Sequence, residues 1–263
     1  MEKINPNDVI LKFIDKMNYL QNEHVLGCFF YGSYLTGFNN SSSDIDLHII
    51  FDNSDPKHII RGNEVIDGIR VEYFEKPIHD LYLSAKNDFN NRNNALLSII
   101  GTSKIIFDKN GKLDKLQKYV LKKFSNPLPL LEKEEAREYV SIIKNRMEKL
   151  EKAANDNSPY FNHLYHLTIE KIRKFYHRLN GIPEVQTSKV FRIYKDEKYR
   201  KSICKEKIPE KEFIDMYLDA ISDDSNNINK KLIKAEKLFN YSRRNVSLDE
   251  NSYRILIKSR NIK

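Results

Sequence analysis

The 263-residue sequence has no tryptophan, two cysteines and no long apolar run, and each of these absences excludes a class of protein. A membrane-spanning helix needs roughly 18 consecutive apolar residues, so we expect no membrane segment. Cys28 and Cys204 are too few and too far apart in the chain for a disulfide framework or a zinc cluster. The first residues, Met1–Pro6, lack the features of a signal peptide. The sequence therefore predicts a cytoplasmic globular protein.

Charge is distributed unevenly along the chain. Residues 1–100 contain nine Lys and Arg against fourteen Asp and Glu, whereas the remaining residues contain 36 against 23. The formal net charge of +8 therefore comes from the C-terminal part, whose own balance is +13. A basic region can bind nucleic acid or phosphate groups, but an abundance of Asn, Ile and Lys is also expected from AT-rich codons. Both explanations remain open.

The N-terminal half has the pattern of a short mixed sheet flanked by helices. Apolar residues at helical spacing predict an amphipathic helix over residues 8–21. Four segments have the length and apolar content of strands: 25–31, 44–51, 69–74 and 104–107. The first of these is apolar throughout, which is typical of a strand buried on both faces. Asp67 and Gly68, directly before the third strand, form a hairpin signal.

A domain boundary is predicted where Pro127 and Pro129 interrupt the chain within three residues. The sequence beyond it is helical in pattern, with helices expected at 133–153, 159–179, 187–194, 210–221 and 227–240. The last twenty residues have no clear period and are predicted to be a basic tail. We therefore predict an α+β protein, with a mixed-sheet domain at residues 1–126 and an all-α domain at residues 130–263.

A turn suited to phosphate follows the first strand. Gly32 and Ser33 come directly after the buried strand, where a short helix is expected to begin. Free backbone N–H groups and a hydroxyl at a helix N-terminus suit an anion such as phosphate. Taken alone, Gly-Ser after a strand is equally typical of a plain turn.

Two aspartates begin the second strand. Asp44 and Asp46 share one face of it, because side chains alternate with period two, and about 6.5 Å of rise separates them. Ile45 and Leu47 should point into the core, so the two carboxylates are expected on the accessible face. Like charges so placed repel unless a cation lies between them, and Mg²⁺ is the cation that oxygen ligands favour. A solvated strand end is the alternative interpretation.

Together, these features resemble the signature of the polymerase-β-like nucleotidyltransferase superfamily: Gly-Ser after a buried strand, Asp-x-Asp on the next strand and an acid on a further strand. The resemblance implies a nucleotidyltransferase fold at residues 1–126. It implies that Gly32 and Ser33 hold the triphosphate of a nucleotide, and that Asp44 and Asp46 hold two Mg²⁺ ions.

The third carboxylate of this family should be Glu72. Arg70 and Glu72 are expected to face the cleft, whereas Glu75 lies on the other face of the strand and Asp67 lies in the turn. The reaction implied by the resemblance is in-line displacement, in which an acceptor oxygen attacks the α-phosphate of a nucleoside triphosphate and pyrophosphate leaves.

The two-domain layout also resembles the antibiotic nucleotidyltransferases of the aminoglycoside and lincosamide type. In that branch a helix of the second domain offers a Glu as base for the acceptor hydroxyl and, four residues later, a Lys for the triphosphate. Glu170 and Lys174 match this spacing, although an ordinary helix ion pair has the same pattern. Lys189 matches a further lysine that reaches the triphosphate in relatives, and an exposed lysine is the alternative.

Three histidines, His163, His166 and His177, lie on the same predicted helix as Glu170. They lack the His-Glu-x-x-His spacing of zinc hydrolases, so we interpret them as surface or cleft-lining residues.

The sequence thus predicts a Mg²⁺-dependent transferase that moves NMP, first of all AMP, from a nucleoside triphosphate to a hydroxyl of a small molecule such as an antibiotic. The basic C-terminal region suits a neutral or singly charged acceptor at least as well as a polycationic aminoglycoside. Nucleotidylation of a protein or tRNA, or an inactive nucleotide-binding protein, are the alternatives. The sequence has neither the Arg-rich arm nor the aromatic-basic stripe typical of RNA binding, so nucleic acid is not the favoured partner. The oligomeric state, monomer or homodimer, stays open.

Overall fold

The computed structural model describes residues 5–55 and 57–246, which form two compact units. The first unit contains the chain up to Leu128 together with Lys195–Glu206. The second contains Pro129–Tyr194 together with the chain from Lys207 onward. No helix in the described ranges is long and apolar enough to cross a membrane.

A five-stranded mixed sheet forms the centre of the first unit. Its strands are β1 (Val25–Tyr31), β2 (Ile45–Phe51), β3 (Ile60–Ile66), β4 (Ile69–Pro77) and β5 (Lys104–Asp108). They lie in the order β3-β4-β2-β1-β5, with β2 and β4 parallel and the other neighbours antiparallel. The four predicted strands and the predicted α+β class are confirmed. β3, which the sequence analysis left undefined, pairs with β4 in a hairpin.

The α-helices in the described residues are α1 (Pro6–Lys16), α2 (Ser33–Thr36), α3 (Ile78–Asn90), α4 (Lys112–Phe124), α5 (Lys133–Asn155), α6 (Phe161–Leu179), α7 (Val190–Lys195), α8 (Glu197–Ser202), α9 (Lys211–Ile221) and α10 (Ile228–Arg243). A π-helical turn and a 3₁₀ turn occupy Leu97–Gly101 and Thr187–Lys189. Most of the predicted helices are present, with bounds that shift by a few residues.

Helices cover both faces of the sheet. The apolar side of α1 packs with alternate residues of β1 and β2 in one buried cluster, and α3 and α4 pack with the opposite face in a second. α4 is not among the predicted helices, although Leu113, Leu116 and Val120 recur at helical spacing. Asp108, at the end of β5, accepts hydrogen bonds from the backbone N–H groups of Lys112, Leu113 and Asp114 at 3.0–3.1 Å.

The hairpin turn between β3 and β4 is formed by the two predicted residues. Asp67 and Gly68 both have positive φ, 50° and 80°. These values are those of a type I′ turn, which follows the right-handed twist of the two strands. The hairpin places β3 at the edge of the sheet, next to β4.

Long helices build the second unit. α5 packs along α6, and α10 contacts α5, α6 and α9. A capping box starts α5: the Glu132 side chain accepts from the backbone of Glu135, and the Glu135 side chain accepts from the backbone N–H of Glu132. Of the predicted basic tail, residues 247–263 lie outside the described residues.

One segment of the predicted second domain packs within the first unit. The hydroxyl of Ser98 donates to the carbonyl of Ile203 at 2.6 Å, and the amide of Asn94 donates to the carbonyl of Cys204 at 3.2 Å. α8 lies in this segment, and with six residues it is too short to show from its own periodicity where it packs.

Candidate active site

Asp46 lies at the start of β2, between a tyrosine and a glutamate of the neighbouring strands. It pairs with Tyr31 of β1 and with Glu72 of β4. Directly paired residues point to the same face of a sheet, so the three side chains share one face. Ile45 and Leu47 are fully buried in the core on the opposite face. The alternation along β2 therefore keeps Asp46 out of the apolar core.

Asp44, Asp46 and Glu72 form a compact group of partly buried carboxylates. Each offers one oxygen, and these oxygens lie within 4.8 Å of one another. Three like charges at this spacing repel, and a bound cation removes the repulsion. A donor set made only of carboxylate oxygens fits Mg²⁺. Within the residues that the structure describes, this is the only group of three His, Cys, Asp or Glu side chains close enough to hold a metal.

Arg61 of β3 reaches the third carboxylate. Its Nε donates to Oε1 of Glu72 at 2.7 Å, and one of its terminal nitrogens donates to the same oxygen. The guanidinium also lies over the ring of Phe74, 5.1 Å from the centroid. This ion pair offsets part of the negative charge and fixes one oxygen of Glu72. Arg61 could not be predicted from the sequence, because its contact with Glu72 depends on the register of the hairpin.

Gly32 separates β1 from α2 and lies against the carboxylate of Asp46. Its backbone has φ 87° and ψ −161°, a region that is essentially restricted to glycine. A Cβ added at Gly32 would lie 2.0 Å from Oδ2 of Asp46. Ser33 begins α2, which has a single turn and ends at Gly37. The predicted short helix is therefore present, and the glycine turn lies beside a candidate metal ligand.

His48 and Tyr31 lie on the same face of the sheet as Asp46, and their rings are in contact. His48, two residues after Asp46, is 5% exposed, and its ring lies 5.1 Å from that of Tyr31 and 5.3 Å from that of Phe74. Burial lowers the pKa of His48 to about 3, with a smaller contribution from Lys76, so the ring is neutral. Burial, followed by the charges of Asp46 and Glu72, raises the pKa of the Tyr31 hydroxyl.

Glu170 lies on α6 of the second unit, within a hydrogen-bond network. Its Oε2 accepts from Arg173 at 2.9 Å and from the Thr187 hydroxyl at 3.0 Å, and its Oε1 accepts from the Tyr217 hydroxyl. Burial raises the pKa of Glu170, but the hydrogen bond and charge of Arg173, with the hydrogen bonds from Tyr217 and Thr187, outweigh it. The pKa therefore lies below its ordinary value, and the carboxylate is ionised at neutral pH.

The same network ties the segment after α6 to that helix. Arg173, which is fully buried, also donates to the carbonyl of Val185 at 3.1 Å, and a ring nitrogen of His177 lies 2.9 Å from the carbonyl of Pro183. The second ring nitrogen of His177 lies 2.6 Å from the Tyr194 hydroxyl. The interpretation of His177 as a surface or cleft residue is therefore wrong, because this network buries it completely.

The two candidate lysines of the second unit are exposed. Lys174 lies on α6, one turn after Glu170, and Lys189 ends the 3₁₀ turn that begins at Thr187. Thr187 is also the residue that donates to Glu170, so the segment that carries Lys189 is fixed to α6 at this point. Glu170 and Lys189 are thus structurally linked.

The sequence family described as "Polymerase beta, Nucleotidyltransferase" matches residues 16–112, a segment that contains all five strands and the carboxylate group. A solved structure, the nucleotidyltransferase-like protein from Exiguobacterium sibiricum, is similar with a TM-score of 0.48 and 15% sequence identity, covering 90% of this chain and 75% of that one. No curated protein matches the sequence. Residues 16–112 therefore match the polymerase-beta nucleotidyltransferase family.

Proposed function

We propose that the protein transfers a nucleoside monophosphate, first of all AMP, from a nucleoside triphosphate to a hydroxyl of a small molecule. The observation that carries the proposal is the convergence of Asp44, Asp46 and Glu72 beside Gly32, within a segment of nucleotidyltransferase type. The family supplies the reaction class, and the carboxylates and the glycine turn are the groups that this reaction needs.

Each group has a separate role in the proposed reaction. Asp44, Asp46 and Glu72 would hold two Mg²⁺ ions, which would lower the pKa of the attacking hydroxyl and neutralise the leaving pyrophosphate. Gly32 and Ser33 bind the triphosphate through their backbone N–H groups and the serine hydroxyl. The acceptor oxygen forms a bond to the α-phosphorus, the bond from that phosphorus to the bridging oxygen breaks, and pyrophosphate leaves.

For the acceptor step, we propose roles for three residues of the second unit. Glu170 takes the proton of the acceptor hydroxyl: its carboxylate is ionised at neutral pH, as a base must be, and its lowered pKa makes it a weak base. Lys174 and Lys189 contact the triphosphate, which their exposure and charge support. An antibiotic of lincosamide or aminoglycoside type is the proposed acceptor, and the basic C-terminal region favours the less cationic of these.

Incubation with α-labelled ATP, GTP, CTP and UTP tests the proposed function. Each reaction contains Mg²⁺ and a panel of hydroxyl-bearing antibiotics, and mass spectrometry identifies the labelled product. We expect a product whose mass exceeds that of the acceptor by one nucleotidyl group. If protein or tRNA were labelled instead, the acceptor would be a macromolecule and not a small molecule. If no acceptor were labelled, the transferase proposal would be contradicted.

Replacement of Asp46 by Asn tests the carboxylate group. We expect Mg²⁺-dependent transfer to be lost while the fold is kept, because the amide cannot replace a charged ligand. Asp15→Asn, on the exposed side of α1, makes the same chemical change away from the site and should leave the rate unchanged. Undiminished turnover in Asp46→Asn would contradict the proposal that this group binds the metal ions.

A further inference from the structure

α5 and α6 border a groove in the second unit that has a cationic lining. It is open to solvent, and its volume is about 490 Å³. Arg146 and Lys149 supply positive charge, and Ser141 and Asn145 supply polar groups. No carboxylate from the described residues lines it. The groove is therefore chemically suited to an anion.

A second observation shows that the positive charge around Arg146, one of the two cations that line the groove, is crowded. Burial lowers the pKa of Lys171 on α6, and the nearby Arg146 and Arg178 lower it further. Glu184 acts in the opposite direction, but it forms an ion pair with Arg178 at 3.0 Å. The ammonium of Lys171 lies 4.7 Å from the centroid of the Tyr139 ring, not against a carboxylate. Cations held together in this way raise the free energy of the protein, and a bound anion lowers it.

The dimensions and the apolar wall of the groove restrict the ligand further. Ser141 and Lys149 are eight residues apart on α5, which corresponds to about 12 Å of helix. That length suits a small molecule better than a polymer. Ile142, 38% exposed, and the half-buried Leu164 provide apolar surface beside the cations. The ligand should therefore combine an anionic group with an apolar body.

We propose that this groove binds a small phosphate monoester. The phosphate lies between Arg146 and Lys149, since guanidinium and ammonium groups are the usual phosphate ligands, and the apolar body lies against Ile142 and Leu164. The site shares no residue with the carboxylate group of the first unit. The proposal does not rest on nucleotidyl transfer.

Calorimetric titration of the full chain with phenyl phosphate and with inorganic phosphate, in the presence of EDTA, tests the proposal. EDTA removes the divalent cations through which the carboxylates could retain phosphate. We expect the double variant Arg146→Gln/Lys149→Gln to bind phenyl phosphate at least tenfold more weakly than the wild type. Lys115→Gln/Lys122→Gln, on the exposed surface of α4, removes the same charge and should bind as the wild type does.

The apolar wall gives a second readout. The wild type should bind phenyl phosphate at least threefold more tightly than inorganic phosphate, and Ile142→Ser should reduce this preference. Three outcomes would overturn the proposal: no binding to the wild type, equal weakening in both double variants, or a parallel loss of Mg²⁺-ATP affinity in Arg146→Gln/Lys149→Gln. The second would show a general attraction to positive charge, and the third would make the groove part of the nucleotide site.

Discussion

Gly32 and Gly37 stand at the two ends of α2, and both have positive φ, but they differ in what surrounds them. An added Cβ at Gly32 would collide with the Asp46 carboxylate, whereas at Gly37 no atom lies within 4 Å. We expect Gly32→Ala to destabilise the protein by about 3 kcal/mol or more, because strain and collision add, and to abolish transfer. Gly37→Ala should cost only about 1–2 kcal/mol, because a left-handed alanine is its only penalty.

Thermal unfolding and the rate of nucleotidyl transfer, measured on both variants, check this prediction. The comparison is matched, since both changes add one methyl group to the same turn. Equal losses of stability and activity in the two variants would show that backbone conformation alone matters at Gly32. The contact with Asp46 would then have no special role.

Glu170 has two possible roles, as a base and as the carboxylate that secures the segment of Lys189, and single replacements separate them. We expect Glu170→Gln to lower turnover by about 10²- to 10⁴-fold with nucleotide binding retained, which is the usual scale of general-base catalysis. It should also lower the free energy of unfolding by about 3 kcal/mol, because Arg173 stays buried without its charged partner. Turnover must therefore be measured well below the melting temperature.

Thr187→Val is the control for Glu170→Gln, because it removes one hydrogen bond to the carboxylate and leaves the carboxylate in place. We expect it to cost about 1 kcal/mol of stability and to change turnover less than fivefold. A loss of turnover as large as that of Glu170→Gln would show that Glu170 acts only by holding the segment. Initial rates at saturating substrate, with unfolding curves of the same preparations, provide the comparison.

The pH dependence of the reaction gives a further test of Glu170. Its pKa lies below the ordinary value, so its basic form is fully present at neutral pH and is lost only as the pH falls below that ordinary value, about 4.3. We expect the kcat/KM profiles of the wild type and of Glu170→Gln to have the same shape between pH 7 and pH 5. A decline in this range that disappears in Glu170→Gln would mean that the pKa of Glu170 is raised, which would contradict the network described above.

At the scale of elements, the sequence predicted the strands better than it predicted the helices around them. A continuous apolar run gave β1 and an alternating one gave β4, because a strand buried in a sheet needs these patterns whatever its neighbours are. α4 has local signals that could have predicted it, since Leu113, Leu116 and Val120 recur at helical spacing after the cap Asp108. α8 is too short to carry a period, and the segment after it is positioned by contacts with Asn94 and Ser98, which are distant in the chain.

The carboxylate group was also predicted only in part: strand periodicity predicts which face each side chain occupies, but not which strands pair. The period of a strand placed Asp44 and Asp46 on one face, and it placed Glu72 on the accessible face of its own strand. Their convergence comes from the parallel pairing of β2 with β4, which puts Asp46 directly opposite Glu72. No spacing in the sequence expresses that register, and only the family resemblance pointed to it. Arg61 had neither signal, because it contacts Glu72 from an edge strand.

α8 contributes to the first unit through Tyr199. Its ring meets that of Phe38 edge to face at 5.2 Å, and Phe38 directly follows Gly37 in the loop that leads to Asp44. Tyr199 is 8% exposed. We expect Tyr199→Ala to cost about 3 kcal/mol of stability and to raise the KM for the nucleotide more than it changes kcat, because the loop loses its support.

Tyr199→Phe and Lys198→Ala are the controls for this prediction. The first keeps the ring, and the second shortens an exposed neighbour on the same helix, so both should keep a KM near that of the wild type. Steady-state kinetics at varied nucleotide concentration gives the comparison. If Tyr199→Ala lowers stability but leaves KM unchanged, the contact with Phe38 supports folding only.

At the scale of the whole molecule, charge is divided between an acidic N-terminal part and a basic remainder. This division does not coincide with the boundary between the two compact units, but the two units should also respond differently to solutes. We expect the three carboxylate oxygens that lie within 4.8 Å of one another to make the first unit responsive to divalent cations, and the proposed anion groove to make the second responsive to anions. The net charge of +8 conceals this division because the two contributions partly cancel.

We therefore expect Mg²⁺ to stabilise the first unit against unfolding. Any ligand that binds only the folded state adds RT ln(1 + [L]/Kd), or about 1.4 kcal/mol at a concentration tenfold above Kd. Scanning calorimetry in EDTA and in Mg²⁺, with NaCl at matched ionic strength as the control, measures this effect. Asp46→Asn should lose the Mg²⁺ effect and, in EDTA, should melt no lower than the wild type, because one fewer carboxylate means less repulsion. An equal Mg²⁺ effect in Asp46→Asn and in the wild type would place the cation elsewhere in the molecule.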